Sequence, residues 1–326
     1  MNKLRHFIYI LLLPGFLIAC NNKAIVSQSE DETQLRVLGY LPGSNNWVAD
    51  MNTIDLTKIT DLNLAFINPD VSGNFPANDA YRQVIQKAHS HNIRVFLSLG
   101  GGSPPAHLEG LLKNDKRAGL IAGLVAVAET YDFDGIDIDL ENSLINANYA
   151  LFVSELSAAL KPKKKLLTTA LASWNSNFIN DTTLQQFDFI NIMSYDKTGP
   201  WNLNMPGQHS PLLMAQDDFN YFNQTRKIAA EKLFIGLPFY GYGFGNGAPE
   251  SMRYKDIITT YPGAENTDTV AVAGGGTIYY NGIATIKQKV SFAIVNKAGG
   301  VMIWQLMGDS KDSKSLLKAI NDIKKP

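Results

Sequence analysis

Eight short apolar runs recur between residues 36 and 306, and helix-like stretches separate them. The runs are Arg36–Leu41, Asp61–Ile67, Arg94–Leu99, Phe133–Leu140, Leu166–Ala172, Phe187–Met193, Leu233–Phe239 and Gly300–Leu306. Most are rich in Val, Ile and Leu, as expected for parallel strands covered on both faces. Asp79–Ser90 and Arg117–Tyr131 place apolar residues at spacings of three and four, the pattern of helices packed on one side. Alternating β and α units imply a parallel sheet. Eight units fit a closed (β/α)₈ barrel, although a doubly wound open sheet satisfies the same alternation. No strong internal repeat and no Pro- or Ser-rich linker follows residue 35, so residues 35–326 read as one domain. A hydrophobic content of 45% supports a core of that size, and a net charge of −1 without a basic patch argues against a nucleic-acid partner.

Residues 132–141 read Asp-Phe-Asp-Gly-Ile-Asp-Ile-Asp-Leu-Glu. On a strand, side chains alternate faces, so Asp137, Asp139 and Glu141 share one face while Ile138 and Leu140 take the other. Neighbouring acids then stand roughly 7 Å apart, two strand rises. Like charges this close raise at least one pKa, which keeps a carboxyl protonated near neutral pH and able to act as a general acid. A merely solvated strand end does not explain the pattern, because Ile136, Ile138 and Leu140 mark a buried strand and acids there are costly. A calcium loop needs a Gly-centred turn and a distal Glu. No zinc spacing occurs among His6, His89, His91, His107 and His209. No metal and no cofactor is expected.

Glu141 falls just past the fourth strand, where barrel enzymes place catalytic groups. The four tryptophans follow the same rule. Trp47, Trp174 and Trp201 follow strands one, five and six, and Trp304 lies late in strand eight. All four are expected toward one rim, where aromatic faces suit the apolar faces of sugar rings.

The N-terminus reads as separate from the fold. Lys3 and Arg5 precede an apolar run from Ile8 to Ala19 that is short for a membrane span and has the layout of a secretory signal. Leu17-Ile18-Ala19-Cys20 resembles the lipobox of bacterial lipoproteins, and Cys20 is the only cysteine. That resemblance implies cleavage of residues 1–19, lipid on Cys20 and a lipid-anchored protein of the bacterial cell envelope, at the outer membrane or cell surface. Residues 20–34, mostly polar, read as a flexible tether.

The motifs carry a second resemblance. Asp134-Gly135-Ile136-Asp137-Ile138-Asp139-Leu140-Glu141 resembles the DxxDxDxE signature of family 18 glycoside hydrolases, the chitinase family. Ser98-Leu99-Gly100-Gly101 resembles its SxGG, and Met193-Ser194-Tyr195-Asp196 its MxYD. Gly39-Tyr40, Ala65-Phe66, Gly236–Gly241 and Gly300–Trp304 are similar to family segments on four further strands. The resemblance spans about residues 36–309 and favours the barrel over the open sheet. It implies that Glu141 protonates the glycosidic oxygen and that the substrate's N-acetyl oxygen replaces a second carboxylate as nucleophile. Asp139 would hold the acetamido N–H, Asp137 would share a proton with Asp139, and Tyr195 would bind the acetamido oxygen. Tyr40, Phe66, Gly101, Met193 and Asp196 would line the substrate pocket, with Trp304 as its floor. Asp134 has the wrong parity for the cleft and reads as structural.

Some family members carry an α+β module after strand seven. Here only Tyr240–Gly299 is available, and the part around Tyr254–Tyr280 leaves room for a small insertion at most. The implied substrate is a polymer of β-1,4-linked N-acetylglucosamine, cleaved by a monomer. An endo-β-N-acetylglucosaminidase acting on the chitobiose core of N-glycans is the alternative. A sugar-binding lipoprotein on an inactive barrel fits less well, because the acid is present.

Overall fold

The computed structural model describes Met1 and residues 35–43 and 46–324. Cys20, the tether 20–34 and the expected leader beyond Met1 lie outside the described residues. Seven strands lead the chain: β1 (Arg36–Pro42), β2 (Asp61–Ala65), β3 (Arg94–Gly100), β4 (Gly135–Asp139), β5 (Leu166–Leu171), β6 (Phe189–Ile192) and β7 (Leu233–Pro238). Four short strands follow: β8 (Tyr240–Phe244), β9 (Ser251–Arg253), β10 (Thr269–Ala271) and β11 (Thr277–Tyr279), and then β12 (Gly300–Trp304). A closed barrel forms in the order β1-β12-β7-β6-β5-β4-β3-β2, with every pair parallel. The eight expected strands are these eight. Two begin later than expected, because Phe133 and Phe187 lie ahead of β4 and β6 and are buried without joining the sheet. Their apolar character lengthens the run in the sequence without adding a ladder.

Each strand divides its side chains between two cores. Ile136 and Ile138 of β4 face outward and pack with Leu124, Phe152 and Leu156 of helices Asn114–Tyr131 and Ala147–Leu160 in the outer shell. The inner core is aromatic at the closed end. Phe189 stacks on Phe234 at 4.5 Å and meets Phe96 edge-on at 5.6 Å. The Arg36 guanidinium covers both Phe189 and Phe234. Arg36 and Arg94 also converge on the fully buried Asp61, at 2.7 and 2.9 Å. This plug closes one end of the barrel, so polar inward side chains further along the strands can be reached only from the other end. Asp134 points away from the interior, as its parity predicts. It accepts from Val95 N at 2.7 Å and pairs with His89 Nε2 at 2.9 Å.

The insertion after β7 is small, but it begins earlier than expected. β8 leaves β7 within two residues and pairs antiparallel with β9 and β11, giving a four-stranded sheet in the order β10-β11-β8-β9 with helix Tyr254–Thr260 beside it. The barrel helix Ile283–Val295 then returns the chain to β12. One tryptophan departs from expectation. Trp47 is buried, donates its indole N–H to Leu41 O at 3.2 Å and packs on Tyr81 of helix Asp79–His89, so it belongs to the outer shell and not to a cleft. No helix among the described residues is long and apolar enough to cross a membrane.

Candidate active site

Register sets Ser98 of β3 beside Asp137 and Asp137 beside Thr168 of β5, with Gly100 beside Asp139 one layer higher. Asp137 is fully buried and saturated. Its Oδ2 accepts from Tyr40 OH at 2.7 Å and Ser98 Oγ at 2.8 Å, and its Oδ1 accepts from Thr168 Oγ1 at 2.7 Å and Asn191 Nδ2 at 3.1 Å. Burial raises its pKa, and these four donors pull it back down. Tyr40 was expected at the sugar. It is 1% exposed and donates its hydroxyl to Asp137.

Asp139 contrasts with Asp137 two residues away. It is 4% exposed, and its Oδ1 has no hydrogen-bond partner. Burial, then the charges of Glu141 and Asp137, push its pKa well above the carboxylate range. Asp137 offers its oxygens to the four donors, and its charge is among the causes that raise Asp139. Glu141 follows β4 at the open end and is half-buried. Its pKa is raised by burial first and the charge of Asp196 second. One strand therefore carries a clamped carboxyl, a buried carboxyl with a free oxygen and a strongly raised pKa, and a reachable acid.

Above them the inner core turns aromatic again. Trp304 stacks on Phe66 at 5.6 Å and meets Tyr40 edge-on at 5.5 Å. Tyr195 reaches Met302 Sδ at 3.8 Å, and Met193 packs on the same cluster. Gly101 supports this floor from behind. Its φ is +92°, and a Cβ there would lie 2.4 Å from the Phe66 ring. Gly101 is therefore a seat for Phe66. The structure thus brings Asp137, Asp139, Glu141, Tyr40, Tyr195, Phe66, Met193 and Trp304 to one end of the barrel.

Asp196 carries neighbours that sequence reasoning missed. It sits at φ +63°, a conformation Asp tolerates, and accepts from Tyr240 OH. The wholly buried His209 places Nδ1 3.5 Å from Asp196 Oδ1, and its ring lies 5.0 Å from Tyr240 and 4.9 Å from Tyr242. Tyr242 in turn meets Trp201 edge-on at 5.4 Å. Tyr240 and Tyr242 come from β8, whose alternation with Gly241 and Gly243 reads as a loose glycine cluster. Cβ atoms on those glycines would meet Tyr279 O at 2.4 Å and Pro249 O at 2.2 Å, so the spacing marks a tightly covered strand with one tyrosine face. A pocket of about 220 Å³ opens here, lined by Asp196, Tyr240, Tyr242, Arg253 and Trp304. A larger pocket of about 500 Å³, around Lys255, Asp309 and Lys318, lies away from the acids and collects no comparable set of perturbed carboxyls. Among the described residues no group of three or more His, Cys, Asp or Glu is placed to hold a metal ion.

An acid at the open end of a closed barrel, over a buried free carboxyl, is the arrangement the motifs imply, and the profile of glycosyl hydrolases family 18 matches residues 36–309. The chain belongs to that family. A chitinase from Flavobacterium johnsoniae aligns with a TM-score of 0.80 at 35% identity, covering 89% of this chain and 94% of that one. A chitinase from Bacteroides thetaiotaomicron aligns with a TM-score of 0.79 at 29% identity, covering 89% and 96%. Chitinase A1 of Niallia circulans is 25% identical over an alignment of 416 positions, gaps included, that covers 89% of this chain and 59% of that protein. This protein is a chitinase-like glycosidase of family 18.

Proposed function

We propose that the protein cleaves β-1,4-linked N-acetylglucosamine chains with retention, using the substrate's own acetamido oxygen as nucleophile. The observation that carries this reading is the unpartnered Oδ1 of Asp139. Buried polar atoms are nearly always satisfied. An acetamido N–H of a bound sugar supplies the missing donor, which turns the acetamido oxygen toward the anomeric carbon, while Tyr195 steadies that oxygen.

In the first step the acetamido oxygen bonds to C1, the C1–O glycosidic bond breaks, and the Glu141 proton passes to the leaving oxygen. Positive charge spreads over the oxazolinium ring, and Asp139 favours its ionised form beside it. In the second step Glu141, now a carboxylate, takes a proton from water as the water oxygen bonds to C1. The oxazolinium C1–O bond opens, the acetamido group is restored and Glu141 is protonated again. Two displacements at C1 leave the β configuration. Asp137, held by four donors, fixes β4 beneath Asp139.

Glu141→Gln tests the acid. A positioned general acid contributes roughly 10²–10⁴-fold, and the variant should lose turnover by that order while still binding chitooligosaccharides. Wild-type turnover in Glu141→Gln refutes the assignment. Run beside an N-glycoprotein, the same assay separates chitin-type chains from the N-glycan core.

We also propose that Cys20 is lipidated and that the enzyme works anchored to the cell envelope as a monomer. Cys20→Ser should move it from the membrane to the soluble fraction without changing its specific activity. A wild-type protein that is already soluble and begins elsewhere than residue 20 contradicts the anchor.

A further inference from the structure

Tyr195 and Asp196 open a loop that closes at Ser210, and its two ends are tied together. Ser210 Oγ donates to Ser194 O at 2.5 Å, and Lys197 N donates to His209 O at 2.9 Å. Behind Ser210 stands Lys289, on the barrel helix Ile283–Val295. Its ammonium is completely buried and, among the described residues, has no carboxylate in ion-pair contact. Nζ donates instead to Ser210 O at 2.8 Å, Ser210 Oγ at 2.6 Å and Asn281 Oδ1 at 2.7 Å. Asn281 Nδ2 completes the set by donating to Ser210 O at 2.9 Å.

A buried cation without a carboxylate in direct contact is expensive, and lysines are almost never fully buried unless paired. Three N–H bonds meeting three acceptors compensate for it only while those acceptors stay where they are. Two of the three belong to Ser210. Burial lowers the Lys289 pKa to about 7, and Asp268 and Asp218 pull it back upward. All three donors are present only in the charged form, so the geometry matches the ammonium.

We infer that Lys289 is a positioning residue. Through Ser210 and Ser194 it fixes the loop that sets Tyr195 against the substrate's acetamido oxygen. The inference rests on the proposed reaction for what Tyr195 does, but not for the clamp itself. A bland alternative is that Lys289 only joins the insertion, through Asn281, to the barrel. Both readings make it important for stability, and only the first couples it to Tyr195.

Two measurements separate them. Hydrogen exchange of peptides covering residues 194–210 should quicken in Lys289→Met relative to wild type, and unchanged exchange overturns the clamp whatever the enzyme cleaves. A double-mutant cycle with Tyr195→Phe then reads the coupling in kcat/KM on chitooligosaccharides, well below the unfolding temperature. Lys289→Met should lower kcat/KM about tenfold in the wild-type background and less than about twofold in Tyr195→Phe, as expected for residues in one network. Equal losses in both backgrounds, or lost thermal stability with unchanged kcat/KM, overturn the inference. If Lys289→Met does not fold, Ser210→Ala carries the same cycle, because it removes the link to Ser194 O while leaving Ser210 O for Lys289. Turnover that survives Glu141→Gln refutes the proposed reaction and leaves the exchange result to judge the clamp.

Discussion

Replacing Tyr40 by Phe removes one oxygen from the barrel interior and nothing from the mouth. That oxygen donates to Asp137 Oδ2 at 2.7 Å in a fully buried site. A hydrogen bond to a charged group contributes about 1.5–3 kcal/mol, and the space left by a hydroxyl is too small to hold a compensating water. Tyr40→Phe should therefore lose about 1.5–3 kcal/mol of unfolding free energy where Asp137 is ionised, read as a lower urea midpoint with an unchanged slope. The sign with pH follows from Asp137. Burial raises its folded pKa above the unfolded value, and the Tyr40 hydrogen bond is one of the groups that lowers it. Without that bond the folded pKa rises further. The deficit is then complete above the variant's raised folded pKa and shrinks as pH falls from that value to the wild-type folded pKa. Affinity for chitooligosaccharides should change less than stability, because the hydroxyl faces Asp137 and not the cleft. A stability change below about 0.5 kcal/mol, or one that grows in acid, refutes the reasoning, since ordinary surface substitutions stay within that bound.

Asp196→Asn removes a like charge that raises Glu141, so the alkaline limb of kcat/KM should move to lower pH; burial, the larger cause, should still hold it above the ordinary Glu range. A shift to higher pH contradicts this. Gly101→Ala forces a Cβ into the Phe66 ring at a left-handed φ, and it should both destabilise the fold by more than about 1 kcal/mol and weaken sugar binding, as read by thermal melts and calorimetry. Trp304→Ala removes the ring stacked on Phe66 and should raise KM for chitooligosaccharides more than tenfold; an unchanged KM removes Trp304 from the binding surface. Wild-type stability should gain a rising contribution between about pH 7 and the ordinary lysine range, because unfolded Lys289 binds the proton that the folded site disfavours. Lys289→Met should flatten that rise in urea titrations.

Local pattern carried most of the fold and the acid column. Period-two alternation placed Asp137 and Asp139 on one face of β4 and sent Asp134 to the other. The apolar runs marked the eight barrel strands, and only their ends shifted, where Phe133 and Phe187 are buried just outside the ladder. What stayed hidden depends on contacts between distant residues. Tyr40 and Asp137 are 97 positions apart, and Asn191 and Tyr40 are 151 apart, so nothing near Tyr40 in the chain marks it as a support beneath the acids. Trp47 follows a barrel strand as Trp174 and Trp201 do, but the helix Trp47–Met51 sets it against Tyr81. The tyrosines of β8 lie in an insertion whose glycines mimic a loop. His209 has no partner near it in the sequence, and Asp196 is brought to it by the loop between them.

The central claim is that the nucleophile belongs to the substrate. Its most direct measurement is kcat/KM on a chitooligosaccharide of defined length, compared with the fully de-acetylated oligosaccharide of the same length. If the acetamido oxygen attacks C1 and its N–H satisfies Asp139, removing the acetyl groups should abolish cleavage, to the level of Glu141→Gln or below. Comparable turnover of the two substrates would contradict substrate assistance, even if Glu141 proved essential.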